Sequence, residues 1–285
     1  MSMAKIIDGK KIAKDLELEL KQKVMLRVDQ GFRAPCLAVV IVGADPASKI
    51  YVNKKRKTCE SIGIKSLAYD LDESTTEDEL LKLIDDLNNN HEVDGILVQL
   101  PLPKHIDKNK VIDAISPNKD VDGFNATNLG KLAIGNPGLR PCTPYGITKM
   151  LNQLNLKLRG MKAVVIGSSN IVGKPMAFEL MNLGCTVTIC NSATKDLPAE
   201  LKEADIVVVA IGNPKFIKAD YLKENVIAID VGINRLEDGS ICGDLDYAEV
   251  SKKASYITPV PGGVGPMTVA CLMENTYLAS IWLHS

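Results

Sequence analysis

Cys36–Val42 reads CLAVVIV, apolar at every position. A strand with one face in water alternates apolar and polar residues. A strand with no polar position is covered on both faces, as in a parallel sheet flanked by helices. Comparable runs recur at Val93–Leu100 (VDGILVQL), Ala163–Ile166, Thr186–Cys190, Ile206–Ile211 and Val226–Asp230. Helical stretches separate them, and strand–helix alternation of this kind predicts an α/β protein with parallel sheets.

The helices are read from their spacing. Ile12, Leu16, Leu20 and Val24 recur every fourth residue, so 8–31 is predicted as one helix stopped by Gly31. Further helices are predicted at 47–62, 76–90, 107–115, 144–156, 244–253 and 267–282, with helical or loop pieces at 197–204 and 219–224, and strands at 64–70 and 256–259. The tract from Ser116 to Pro144 holds Gly or Pro at 117, 123, 130, 135, 137, 138, 141 and 144. A tract of that length is expected to be functional or an interdomain crossing. The strand–helix pattern occurs once before about residue 145 and once after it. That predicts two α/β lobes around a cleft, since ligands favour domain interfaces and the carboxyl ends of parallel strands.

Several function classes are excluded by composition. Net charge is −1, with both signs spread along the chain, which speaks against nucleic-acid and membrane surfaces. No apolar run approaches the roughly 20 residues of a membrane helix. The opening MSMAKIIDGKK has neither signal-peptide nor transit-peptide character. Seven scattered cysteines form no C-x-x-C pair and are expected as reduced thiols in a cytoplasmic protein. His91, His105 and His284 are far apart, so no metal site is expected, nor a Ser-His-Asp triad.

Residues 161–184, MKAVVIGSSNIVGKPMAFELMNLG, read as strand, Gly-containing turn and helix, the last beginning at Ile171. Free N–H groups at such a helix start suit a pyrophosphate. The G-x-G-x-x-G pattern is incomplete, because Ser169 and Val172 stand where glycines belong. It is not a P-loop either, because Gly167 and Gly173 are separated by five residues and Lys174 is followed by Pro175. An ordinary strand-to-helix turn remains open on this stretch alone. At the end of the next strand, NAD enzymes usually carry an acid for the ribose 2′-OH. Here Cys190 is followed by Asn191, Ser192, Ala193, Thr194 and Lys195, so Ser192, Thr194 and Lys195 are candidates for a 2′-phosphate. NADP is expected over NAD.

Candidate chemistry sits elsewhere. Tyr51 and Lys55 are four apart and share a helix face. Desolvation and neighbouring cations make a cleft lysine fit for proton transfer, whereas a K/R-rich helix can equally be a solvated face. Gln99 ends a buried strand, where it faces either a ligand or a backbone group. Asp122, in KDVDGF, is a carboxylate able to accept two hydrogen bonds side by side, or part of an Asx-type turn with Asp120 and Gly123. In PGGVGPMT at 261–268, glycines permit close approach to a flat ligand, and Gly265-Pro266 is a candidate Ncap–N1 pair.

Six motifs in order, VGADPASKIYVNKKRKTCESIGI at 42–64, GILVQLPLP at 95–103, DVDGF at 120–124, RPCTPYGI at 140–147, IGSSNIVGKP at 166–175 and PVPGGVGPMT at 259–268, run along essentially the whole chain. Together they resemble the bifunctional methylenetetrahydrofolate dehydrogenase/methenyltetrahydrofolate cyclohydrolase family. The resemblance implies NADP-linked oxidation of 5,10-methylenetetrahydrofolate, then hydrolysis to 10-formyltetrahydrofolate at the same site, in a cytoplasmic homodimer. It implies a folate-binding catalytic domain at 1–146, a Rossmann-type dinucleotide domain at 147–268, and a C-terminal helix at 269–285 returning to the first. Lys55 then corresponds to the catalytic lysine, Tyr51 to the tyrosine that packs on folate, Gln99 to the glutamine bonded to the lysine, and Asp122 to the aspartate holding the pterin edge. Val98, Leu100, Pro261, Gly262 and Gly263 fall in the implied folate site. Gly167, Ser168, Ser169, Ser192 and Ile233 fall at the implied dinucleotide contacts. Many relatives carry arginine after the first loop glycine, placed to meet the 2′-phosphate; this chain has Ser168. A short-chain dehydrogenase with Y-x-x-x-K is disfavoured, because its glycine loop precedes the tyrosine. A non-catalytic dinucleotide sensor would not need Lys55, Gln99 and Asp122 together.

Overall fold

A computed structural model describes residues 3–284. The chain opens with β1 (Lys5–Ile6) and α1 (Gly9–Asp29), then β2 (Cys36–Val42), α2 (Pro46–Ile62), β3 (Lys65–Leu71), α3 (Glu77–Asn89), β4 (Gly95–Val98), α4 (Lys108–Ala114) and α5 (Ala126–Ala133). It continues through α6 (Cys142–Asn152), β5 (Lys162–Ile166), α7 (Gly173–Asn182), β6 (Thr186–Cys190), α8 (Leu197–Leu201), β7 (Ile206–Val209), a 3-10 turn at Ala219–Tyr221, and β8 (Ile227–Asp230). The short β9 (Asn234–Arg235) and β10 (Ile241–Cys242) pair antiparallel; α9 (Tyr247–Lys253), β11 (Tyr256–Ile257) and α10 (Val264–Leu283) complete the chain. Two compact units result. One contains Lys14–Cys142 and the chain from Val269 onward; the other contains the segment ending at Ala13 and Thr143–Thr268.

The first unit is built on a parallel sheet in the order β3-β2-β4. β2 is central and buried along its whole length, as its unbroken apolar run requires. On one side, Ala38 and Val40 join Leu80, Ile84 and Leu87 of α3 in a core that also takes in Ile96, Val98 and Val111. α3 is started by a capping box: the Thr76 hydroxyl accepts from the Glu79 amide, and the Glu79 carboxylate accepts from the Thr76 amide at 2.8 Å. α2 is capped by Asp45, which accepts from the Ser48 amide at 2.7 Å, and ends at Gly63 in the left-handed conformation.

The second unit carries a six-stranded parallel sheet in the order β1-β11-β8-β7-β5-β6. From β5 the chain moves outward to β6, then returns to place β7 on the other side of β5. The carboxyl ends of β5 and β7 therefore flank a topological switch point, the position where open α/β sheets bind ligands. The core below contains Val164, Ile166, Val207, Val209, Ala228 and Ile257.

Among the departures from the sequence expectations, four bear on how the sites are built. The N-terminal residues fall in the second unit, not in a first domain at 1–146, because β1 pairs in parallel with β11. The turn-rich tract contains a helix, α5, started by the Asn125 side chain accepting from the Thr127 amide at 2.9 Å. α7 begins at Gly173, not Ile171, because residues 167–172 are spent on the turn. α10 begins at Val264, so Gly265 and Pro266 lie inside its first turn. Proline is tolerated there because the first N–H groups of a helix have no intrahelical acceptor.

No helix among the described residues is long and apolar enough to cross a membrane.

Ile84 is fully buried between α3 and the first sheet. Ile84→Ala is expected to destabilise the unit by about 2–5 kcal/mol through lost burial and an unfilled cavity. Urea denaturation measures this, with the exposed Lys82→Ala as a reference expected to leave the midpoint nearly unchanged.

Candidate active site

Five residues of α2, Ser48, Val52, Lys55, Cys59 and Ile62, recur at intervals of four and three and are all buried. Lys55 thus lies in the apolar stripe of the helix, while Lys54 and Lys57 face outward. The solvated-face alternative does not hold for it: Lys55 is 8 % exposed. Its Nζ donates to Gln99 Oε1 at 3.0 Å. Gln99 Nε2 donates to the Leu100 carbonyl at 2.6 Å, which fixes the amide so that its oxygen points at the lysine. The Gln99 main chain is held by Val40, whose carbonyl accepts from the Gln99 amide at 2.9 Å. Tyr51 lies one turn before Lys55, on the rim of the buried stripe, and partial burial raises its phenol pKa. Val98 is buried and Leu100 half-buried beside Gln99.

The two aspartates of KDVDGF have separate tasks. Asp120 is buried and makes the turn: its carboxylate accepts from the Gly123 amide at 3.1 Å, the Asn125 amide at 2.8 Å and Asn128 Nδ2 at 3.0 Å. Gly123 sits at φ +74°, and a Cβ there would run into the Arg140–Pro141 peptide. Asp122 accepts no hydrogen bond from the described residues. It keeps part of its surface, yet protein encloses it closely enough that desolvation pushes its carboxyl up to about 6, against the opposing pull of the Lys55 ammonium. Lys55, Gln99 and Asp122 are therefore brought together in one unit, with an unused acceptor pair on Asp122.

Two supporting residues were not among the sequence candidates. Asn275, buried in α10, donates from Nδ2 to the carbonyls of Val121 and Arg140, each at 2.8 Å, and so ties the backbone just before Asp122 to the Arg140 segment. Cys142 Sγ donates to the Val121 carbonyl at 3.2 Å, and burial among acidic neighbours raises its thiol pKa well above the usual range. The polar run Glu274-Asn275-Thr276 in the middle of a mostly apolar helix is the signal that could have found Asn275.

The remaining candidates lie in the second unit. Gly262 adopts φ +101°, and its carbonyl accepts from the Lys10 amide at 2.9 Å. Gly263 packs so tightly that a Cβ would strike Thr258 and the Pro259 carbonyl. Pro261 is exposed just before them.

At the carboxyl end of β5, Gly167 adopts φ +114°. A Cβ on Gly173 would run into the Gly167 carbonyl, so this glycine lets α7 pack against the turn, as the last glycine of a dinucleotide fingerprint does. Val172 offers no side-chain cap to α7; instead the Ser169 hydroxyl accepts from the Val172 and Gly173 amides at 3.2 and 3.4 Å. The amides of Ser168, Ser169, Asn170 and Ile171 donate to no group among the described residues. That is a cradle of free donors beside a helix N-terminus, and it fits a pyrophosphate. After β6, Ser192 is exposed. Thr194 is not available for a ligand phosphate as expected from the sequence: its hydroxyl accepts from the Asn191 amide at 2.9 Å and bonds the Cys190 thiol, closing the turn. Ile233 is 49 % exposed on the loop after β8.

Residues 7–122 match the family described as tetrahydrofolate dehydrogenase/cyclohydrolase, catalytic domain, and residues 141–282 its NAD(P)-binding domain. The chain is 51 % identical to the bifunctional methylenetetrahydrofolate dehydrogenase/cyclohydrolase FolD from Campylobacter jejuni, covering 98 % of this chain and 99 % of that one at a TM-score of 0.96. It is 44 % identical to a 5,10-methylenetetrahydrofolate dehydrogenase from the silkworm Bombyx mori, over 98 % and 99 % of the two chains, at a TM-score of 0.92. A Trypanosoma brucei enzyme of the same bifunctional type, solved with NADP cofactor and an inhibitor, is 35 % identical over 99 % of each chain at a TM-score of 0.95. With a lysine–glutamine pair beside an open aspartate in one unit and a free-amide turn in the other, the chain belongs to the tetrahydrofolate dehydrogenase/cyclohydrolase family.

Proposed function

We propose that this protein oxidises 5,10-methylenetetrahydrofolate to the 5,10-methenyl form with NADP, and then hydrolyses that product to 10-formyltetrahydrofolate. The observation that carries the reading is the buried Lys55 bonded to Gln99, next to an Asp122 carboxylate with no hydrogen-bond donor of its own. Asp122 accepts two parallel hydrogen bonds from the amidine-like edge of the pterin. Tyr51 packs its ring against the folate, and Val98, Leu100 and the Pro261–Gly263 loop complete the folate contacts. The cofactor supplies a hydride acceptor. For its pyrophosphate the chain offers the amides of Gly167–Ser169, with Ser192 and Ile233 as further contacts.

The chain's own work in the oxidation is orientation of two planar groups. In the hydrolysis, water adds to the cationic methenyl carbon and loses a proton, and the adduct then opens to the 10-formyl product as the bond from that carbon to N5 breaks and N5 takes up a proton. Lys55 Nζ takes part in removing the proton from water, and Gln99 Oε1 keeps the amine aimed by accepting a hydrogen bond from it. The fixed orientation of the Gln99 amide matters here, because a flipped amide would set its NH2 against the lysine.

The 10-formyl product carries a one-carbon unit at the level that purine biosynthesis consumes. A cytoplasmic site of action is supported by seven cysteines that are all free, six of them buried. A homodimer is supported by β3, an edge strand whose outer side has no partner in the sheet.

Lys55→Met is expected to fold and bind NADP but to lose cyclohydrolase turnover by about a hundredfold or more. Full turnover in that variant removes Lys55 from the mechanism. Asp122 gives a pH signature. Its ionised form is the acceptor, so the KM for methylenetetrahydrofolate is expected to rise as pH falls through about 6 and to be flat above it. Asp122→Asn is expected to bind folate weakly with no such dependence. Initial rates from about pH 5 to about pH 8 check both, and an unchanged slope in the variant assigns the titration to another group.

A further inference from the structure

The loop after β7, Ile211–Asn213, wraps around a single buried carboxylate. Asp244 is fully buried. Its Oδ2 accepts from the Ile211 amide at 2.8 Å and the Gly212 amide at 3.0 Å, and its Oδ1 accepts from the Asn213 amide at 2.9 Å and Asn234 Nδ2 at 2.8 Å. Every lone-pair direction is used: three donors are backbone amides of the loop after β7, and the fourth is the side chain of Asn234 at the start of β9. The backbone of Asp244 is itself placed by a second buried carboxylate. Asp230 accepts from the amides of Asp244 at 2.9 Å, Leu245 at 2.8 Å and Gly232 at 3.1 Å. Gly232 lies flat against Asp244, where a Cβ would overlap the carboxylate, and it directly precedes Ile233.

These loops stand at the switch point. The Ala210 amide donates to the Ile166 carbonyl at 2.8 Å, and Gly167 packs so closely on the Ala210 carbonyl that a Cβ would collide with it. The 211–213 loop is thus the immediate neighbour of the pyrophosphate turn. Ile211 and Ile233 remain exposed on the two loops that meet at Asp244.

We infer that Asp244 is a positioning residue for NADP: without touching the cofactor, its carboxylate sets the 211–213 loop and the turn before Ile233 as the far wall of the dinucleotide site. Carboxylate symmetry is essential to this role. An asparagine has nearly the same shape, but its NH2 group would face the Ile211 and Gly212 N–H donors in one orientation and the Asn213 N–H in the other, where only the Asn234 amide can turn to present its oxygen. At least one backbone bond becomes a repulsion, and the loop must move. The role rests on the dehydrogenase reading above. Cyclohydrolase turnover consumes no cofactor, so the two are separable.

The test uses Asp244→Asn together with Gly212→Val. Gly212 adopts φ +65°, and a Cβ there meets nothing within 4 Å. A β-branched residue in that conformation shifts the same loop from its solvent side and leaves the core untouched. Both variants are expected to raise the NADP Kd, read by calorimetry, and the NADP KM by about tenfold or more. Dehydrogenase kcat should recover at saturating NADP, and cyclohydrolase turnover on methenyltetrahydrofolate should stay within about twofold of the parent. A Kd unchanged in either folded variant overturns the proposal, as does a parallel fall of both activities with no change in Kd. If Asp244→Asn does not fold, Gly212→Val decides alone. Absence of cyclohydrolase turnover in the parent protein would count against the proposed hydrolysis and not against the role of Asp244.

Discussion

Buried carboxylates holding backbone amides set the loops from which this protein works. Both large sheets are parallel, so the connections at their carboxyl edges carry the chemistry and have few ladder bonds to shape them. Asp120 gathers the turn beside Asp122, Asp244 gathers 211–213, and Asp230 gathers the turn ahead of Ile233. In the first unit Asp94 does the same work before β4, accepting from the Cys36 amide at 2.8 Å and from Arg33. A hydrogen bond to a charged group contributes about 1.5–3 kcal/mol, and an ionised carboxylate left unpartnered in such a place costs more than that. Burial therefore favours one loop arrangement strongly, because any other strands the charge.

The same reasoning explains how a lysine can occupy the apolar stripe of α2. Desolvating an ammonium is unfavourable unless partners stand ready. Gln99 supplies an oriented oxygen and Asp122 a nearby negative charge, and neither is consumed by a full ion pair. A direct salt bridge would lock the lysine and occupy the carboxylate. The arrangement keeps the amine close to its partners while leaving the two Asp122 oxygens for a ligand. Burial raises the Asp122 carboxyl and the Lys55 charge opposes it, so the acceptor state of the site depends on both residues.

Much of the architecture was legible because it rests on strong local patterns. β2 was read with its bounds from one unbroken apolar run, and β6 likewise matches Thr186–Cys190. What escaped was structure made by distant partners. β1 is two residues long and exists because β11 lies beside it. α5 hides in a tract of glycines and prolines because its start depends on the Asn125 side chain and its body tolerates Gly130. In the site, spacing suggested Lys55 and Asp122, but KDVDGF could not say which aspartate makes the turn. Only the placement of Asn125 and Asn128 gives Asp120 that task and leaves Asp122 open. Asp230 and Asp244 were not singled out, since the donors that define them come from residues up to 33 positions away.

The cofactor end shows how few groups are needed to favour a phosphate. The residue after the first loop glycine is Ser168 and carries no charge, and Thr194 is spent inside its own turn. What remains at the carboxyl edge of β5 and β6 is a set of free amides, the hydroxyls of Ser168 and Ser192, and the exposed Lys195, with no acid between Cys190 and Lys195. Lys174 is held by Asn170 at 2.8 Å within the first turn of α7, adding a positive charge close to the free amides. A 2′-phosphate brings about two negative charges, so a nearby carboxylate would repel it, while amides, hydroxyls and a lysine all accept it. An edge with no acid between Cys190 and Lys195 therefore favours NADP without an arginine at position 168.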